Sequence, residues 1–182
     1  MASSSAQYFL HLSSNVSVHA GGKERYLARY RLFLGAFIIG LILSGLTAFP
    51  LRAELSVFAK FLGISDPAGY ATLHGLSRWV AFVSFGLQQT YARFPFFGYA
   101  TDWLGYAHLV IALFFFLPLI DPRRYRGVLH VGIIACVGVF IIAFACGPVR
   151  QIPIFWRLID CSFGLLGIIP LLICLRLTSR ME

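Results

Sequence analysis

Three ionisable side chains stand inside apolar runs of this sequence: Asp102 and His108 in Asp102-Trp103-Leu104-Gly105-Tyr106-Ala107-His108, and Asp160 in Trp156-Arg157-Leu158-Ile159-Asp160. Such groups are expensive in hydrocarbon and normally face a bundle interior or a water-filled cavity, so each is a candidate functional residue. The carboxylates offer acid–base chemistry or a cation contact, and the imidazole offers proton handling or ligation of haem iron. Arg157 lies one helical turn from Asp160, a spacing that suits an ion pair, and Arg150 places a second cation shortly before it.

Depth ties these residues together. With Trp103 and Trp156 as level markers, His108 lies five residues inward and Asp160 four, which at ~1.5 Å per residue puts both about 6 to 8 Å below that level. Small residues flank each at helical spacings, Thr101, Gly105 and Ala112 around His108 and Gly164 and Gly167 after Asp160. The expected site is therefore an outward-facing polar pocket of Asp102, His108, Arg150, Arg157 and Asp160. Plainer roles stand beside that one: Asp102 as a helix N-cap, Arg157 with Asp160 as a structural tie, and His108 as a hydrogen-bonding bridge between helices.

Other chemistries have weaker footing. Two-histidine haem ligation needs a partner at the depth of His108, and His74 and His130 belong near opposite surfaces. Cys136, Cys146, Cys161 and Cys174 form no CxxC pair or zinc-type cluster, so no metal is expected. The chain has no Gly-rich phosphate loop, GxSxG or HExxH, and its spans show no internal duplication of the kind found in transporters.

The elements that must position these residues are membrane helices. The 182 residues are 59% hydrophobic and only 12% charged, with a mean hydropathy of +0.80, which is too apolar for a soluble domain. At about 20 residues per crossing, spans are expected near residues 30–49, 103–119, 128–146 and 155–175. Pro50, Pro118 with Asp121-Pro122, and Gly147-Pro148 are read as their terminators. In the first span, Ala36, Gly40, Ser44 and Ala48 repeat every fourth residue, a face expected to pack on protein. Residues 1–29 read as a flexible cytoplasmic tail, and 30–182 as one membrane domain.

Residues 51–102 decide the topology. Leu51, Leu55, Phe58 and Leu62 form a helical stripe that Gly63 and Asp66-Pro67 break, and a second pattern follows over 73–92. Arg78 and the short apolar run Trp79 to Leu87 argue against a fifth span, so both segments are expected as amphipathic interfacial helices on the outer face. Four spans leave Lys23, Arg25, Arg29, Arg31, the Arg123–Arg126 turn, Arg176 and Arg180 on the cytoplasmic side with both termini. Topology thus accounts for the net charge of +8 without a nucleic-acid partner. The expected fold class is all-α, a transmembrane four-helix bundle.

Thr101-Asp102-Trp103-Leu104 with Ala107-His108-Leu109, and Trp156 through Gly164, resemble segments of small bacterial multi-span membrane proteins without an assigned function. The resemblance runs from the first span to the chain end and implies a bacterial cytoplasmic (inner) membrane, with no activity attached. Two function classes follow from the residues. One is a non-catalytic membrane component, a subunit, assembly factor or lipid- or anion-binding protein, with membrane lipid and other membrane subunits as partners. The other is a membrane redox protein or enzyme that uses His108 and Asp160 on a quinone-like or lipid-like substrate, with His108 as a haem ligand. No cofactor identity follows from the residues.

Overall fold

The computed structural model describes the backbone of residues 3–181 and side chains from Gly22 onward. The chain is all-α, and no strand occurs among the described residues. In order come α1 (Ser3–Ala48), α2 (Leu51–Phe61), a 3-10 turn (Pro67–Thr72), α3 (Gly75–Arg93), α4 (Phe97–Ile120), α5 (Arg126–Val149) and α6 (Ile154–Met181). Among the described residues four segments are long and apolar enough to cross a membrane: Gly22–Ala48, Phe97–Ile120, Arg126–Val149 and Ile154–Met181. The chain is an integral membrane protein. Met1, Ala2, Glu182 and the side chains of residues 3–21 lie outside the described set, while the backbone of the expected tail from Ser3 is part of α1.

The chain divides into two compact units, Met1–Ile38 with Phe114–Glu182, and Ile39–Leu113. In the first, Tyr30, Leu34 and Ile38 of α1 form a buried line. The Tyr30 hydroxyl donates to the Pro118 carbonyl at 2.9 Å, so one of the carbonyls left over at the end of α4 finds a partner. Phe37 meets Phe115 edge-on with centroids 4.8 Å apart. The α5–α6 seam is built on small residues: a Cβ on Gly164 would lie 2.8 Å from the Cys136 carbonyl oxygen, and one on Gly167 2.8 Å from the Cys136 sulfur. Close backbone approach is how helices associate where lipid removes the hydrophobic drive.

Polar groups close this unit at the α4–α5 turn. The Asp121 carboxylate accepts the backbone N–H groups of Arg123 and Arg124, both at 3.1 Å. Arg123 donates to the Met181 carbonyl and Arg126 to the Ser179 hydroxyl at 2.9 Å. Two guanidinium groups thus meet the C-terminal end of α6, where the helix dipole favours cations. At the other end of α5, Ile152 N–H donates to Gly147 O at 2.9 Å and Gln151 N–H to Pro148 O at 3.0 Å. This is a Schellman turn with Gln151, at φ 58°, in the left-handed position that glycine usually takes.

In the second unit α1 and α4 approach closely at two glycines. A Cβ on Gly45 would lie 2.8 Å from the Gly105 oxygen, and one on Gly105 2.7 Å from the Gly45 oxygen. Helix α2 ends in a Schellman turn of its own at Gly63, whose φ is +74°, with Ala59 and Ile64 buried beside it. Asp66 caps the 3-10 turn by accepting the Ala68 N–H at 2.9 Å. Tyr70 of that turn packs edge-on against Phe82 of α3, centroids 5.2 Å apart. Val80, Ala81 and Ser84 form the buried face of α3.

Three expectations change. The face of Ala36, Gly40 and Ser44 is exposed, and a Cβ on Gly40 would meet nothing within 4 Å. The buried line of α1 is instead Tyr30, Leu34 and Ile38, whose larger side chains have more atoms to pack than a stripe of small residues. Pro118 and Pro148 lie inside their helices instead of ending them. A proline near a helix C-terminus removes only one backbone bond, which neighbouring helices absorb in a membrane. Finally, α4 starts at Phe97, so Asp102 lies in its second turn. The helix is already started by Phe97 N–H to Phe94 O at 3.1 Å and Gly98 N–H to Pro95 O at 3.0 Å.

Candidate functional site

Asp102 is not the helix cap that its position suggested. Its carboxylate makes no hydrogen bond among the described residues, and the polar tie at this level comes from its neighbour. Thr101 donates to Gly98 O at 2.7 Å and its oxygen lies 3.3 Å from the Tyr91 hydroxyl, which links α4 to α3. His108 is half-buried beside the glycine crossing, with its Cβ 3.1 Å from where a Cβ on Gly45 would stand. Its Nδ1–H donates to Leu104 O at 2.8 Å. In the neutral ring that bond places the proton on Nδ1 and the lone pair on Nε2. Asp102 and His108 are six residues apart on one helix, which at ~100° per residue turns them about 120° away from each other.

Arg150, Arg157 and Asp160 belong to the other unit. Arg150 is the exposed C-cap of α5. The expected Arg157–Asp160 ion pair does not form among the described residues. Instead the Arg157 stem lies across Gly147, with its Cγ 3.0 Å and its Nε 3.3 Å from where a Cβ on that glycine would be. The missing side chain at Gly147 opens a groove, and the aliphatic part of an arginine fills such a groove at lower cost than a surface-like ion pair would return. Nε of Arg157 is buried without a hydrogen-bond partner, and Asp160 is half-buried on α6. The five residues thus fall into two sets, one per unit. The four cysteines are free thiols, and Cys174 donates to the Tyr30 carbonyl at 3.6 Å. No group of three potential metal ligands occurs among the described residues.

The structure also contains a cleft that no sequence motif marks. A cavity of about 450 Å³ lies between α2 and α3 just past the end of α1, lined by Arg52, Ser56, Ser84, Gln88 and Tyr91 over apolar walls such as Leu87. The Arg52 guanidinium stands over the Tyr91 ring, 5.8 Å from its centroid, a cation–π contact. Ser84 is 3% exposed, and its hydroxyl has no partner among the described residues. By contrast, the hydroxyl of Thr178, also buried, bonds back to its own helix at Cys174 O, 2.9 Å away, and that of Ser162 to Ile159 O at 2.6 Å. An unmet buried hydroxyl costs about 1–3 kcal/mol. The signal was present in the sequence: Ser84 falls one turn after Val80, on the apolar stripe of α3, where a polar residue needs a reason.

No protein-family model, no curated protein and no solved structure matches this chain.

Proposed function

We propose that this integral membrane protein is a non-catalytic component, a subunit or assembly factor that binds an anionic lipid headgroup. The observation that supports this reading most is that the ionisable groups within each unit diverge. Asp102 and His108 point about 120° apart on α4, and Arg157 lies along Gly147 and not against Asp160. A site that works by a paired general acid and base needs both groups within reach of one substrate. The polar contacts tie helix to helix instead, Tyr30 to Pro118 and Arg123 to Met181. Tyr99, Trp103 and Tyr106 form an exposed aromatic ladder with neighbouring centroids 5.9 and 5.8 Å apart, a composition suited to the lipid–water boundary. The open Ala36, Gly40 and Ser44 face of α1 leaves room for a helix of another membrane subunit.

We place both termini in the cytoplasm and invoke no nucleic-acid partner on the strength of the basic-residue distribution, and we place the chain in a bacterial inner membrane on the strength of the resemblance to small bacterial membrane proteins. Within their own units, Asp102 and His108, and Arg150, Arg157 and Asp160, are the proposed polar contacts. C-terminal reporter fusions are expected to be active on the cytoplasmic side; a periplasmic signal would reverse the orientation.

A second reading, a redox protein on a quinone-like or lipid-like substrate, draws on the open Nε2 of His108. A ring nitrogen whose partner is held by a backbone carbonyl is the arrangement that a metal-ligating histidine uses. One measurement separates the two: an absorption spectrum and a native mass spectrum of the purified chain, before and after His108→Ala. A colourless protein that carries lipid or subunit mass in both forms agrees with the binding reading. A Soret band or a quinone mass that disappears in the variant would replace it with the redox reading.

A further inference from the structure

We infer that the α2–α3 cleft holds the phosphate headgroup of an anionic lipid, with Arg52 on the oxyanion and Ser84 as the buried hydrogen-bonding contact. The inference rests on the lipid-binding reading above and assigns it a site, one that includes none of the residues named there.

Position comes first. The first candidate span ends at Ala48, and the cleft lining begins at Phe49. The cavity therefore opens where a helix leaves the hydrocarbon, the level at which lipid headgroups are concentrated. Charge comes second. Arg52 is the cation at the mouth, held over Tyr91, and no acidic residue is among the described residues that line the cleft. A guanidinium offers five N–H donors in a planar fork that matches a phosphate. Polarity comes third. Ser84 is buried and lacks a partner, and Ser56 and Gln88 add hydrogen-bonding groups from the two facing helices. This set suits an oxyanion with several acceptor oxygens better than it suits a carboxylate with two. The apolar walls, Leu87 among them, accept the start of an acyl chain. The cavity volume, about 450 Å³, lies within the ~300–1,000 Å³ range of small-molecule sites.

The test uses the full chain in phosphatidylcholine nanodiscs with and without phosphatidylglycerol, read by native mass spectrometry of retained lipid and by thermal unfolding. The wild-type chain is expected to retain phosphatidylglycerol in preference to phosphatidylcholine. Arg52→Gln is expected to lower that retention about tenfold, through loss of the charge-assisted contact. Ser84→Ala is expected to lower it about fivefold, through loss of one neutral hydrogen bond. Because the Ser84 hydroxyl has no partner within the chain, Ser84→Ala is also expected to unfold at or above the wild-type temperature in pure phosphatidylcholine, which separates lost binding from lost folding. A wild-type preference that both variants keep would place the lipid elsewhere and overturn this site while the broader reading stands. A wild-type chain without any preference would overturn both. Stabilisation by inorganic phosphate equal to that by phosphatidylglycerol would make the ligand a free anion and overturn the lipid assignment.

Discussion

Gly105→Val is expected to break the contact between α1 and α4 and to destabilise the second unit by about 3 kcal/mol or more, the upper end of the range for overpacked sites. A Cβ on Gly105 would stand 2.7 Å from the Gly45 carbonyl oxygen and 2.8 Å from the Phe49 ring. The ring has some freedom to move aside. The Gly45 carbonyl is backbone, in the last turn of α1, and has far less freedom than a ring, so the two helices must separate. Separation also removes the close contact that substitutes for hydrophobic drive in lipid. The matched control is Gly40→Ala on the same α1 helix, where an added Cβ meets nothing within 4 Å. There the gain in helix propensity, about 1 kcal/mol, acts alone, so the control is expected to be neutral or more stable. Unfolding of both variants in mixed detergent micelles, followed by circular dichroism, checks the pair. A Gly105→Val chain that unfolds with the wild type would mean that the glycine crossing is not a fixed feature of the fold.

Tyr30→Ala is expected to cost about 3–5 kcal/mol, the usual range for removing a buried aromatic ring. Tyr30 is fully buried in the first unit. Its hydroxyl donates to Pro118 O, while its own carbonyl accepts from the Cys174 thiol. Tyr30→Phe keeps the ring and leaves the Pro118 carbonyl without its donor, an expected loss of about 1–3 kcal/mol. The ordering wild type, Phe, Ala in unfolding free energy is the readout. If Phe and wild type unfold together, the hydrogen bond contributes nothing and the packing of the ring carries the whole effect. This site is the better one for judging the first unit, because Tyr30 joins α1 to α4 through its hydroxyl and to α6 through its backbone carbonyl.

What the sequence determined by itself is the class of the protein and most of its elements. Apolar runs of span length have one stable solution in a bilayer, so the four crossings were legible from composition, and the basic turn at Arg123 to Arg126 separated two of them. The break at Gly63 and Asp66-Pro67 was legible too, because a left-handed glycine and a proline carry their backbone preference with them. Which face of a helix is used was decided only by the tertiary structure. Ala36, Gly40 and Ser44 share the spacing of a packing seam, yet the seam formed along Tyr30, Leu34 and Ile38, since lipid accepts small residues as readily as protein does and spacing does not name the neighbour. The same holds for the polar groups. One turn of separation made an Arg157–Asp160 pair reasonable, and the side chain missing at Gly147, twelve loop and helix positions back from Asp160's neighbour Ile159, drew the arginine elsewhere. The α2–α3 cleft likewise required two amphipathic helices to meet before Arg52 and Ser84 lined one cavity. Local preference is written residue by residue, whereas a cavity exists only once separate segments have packed around it.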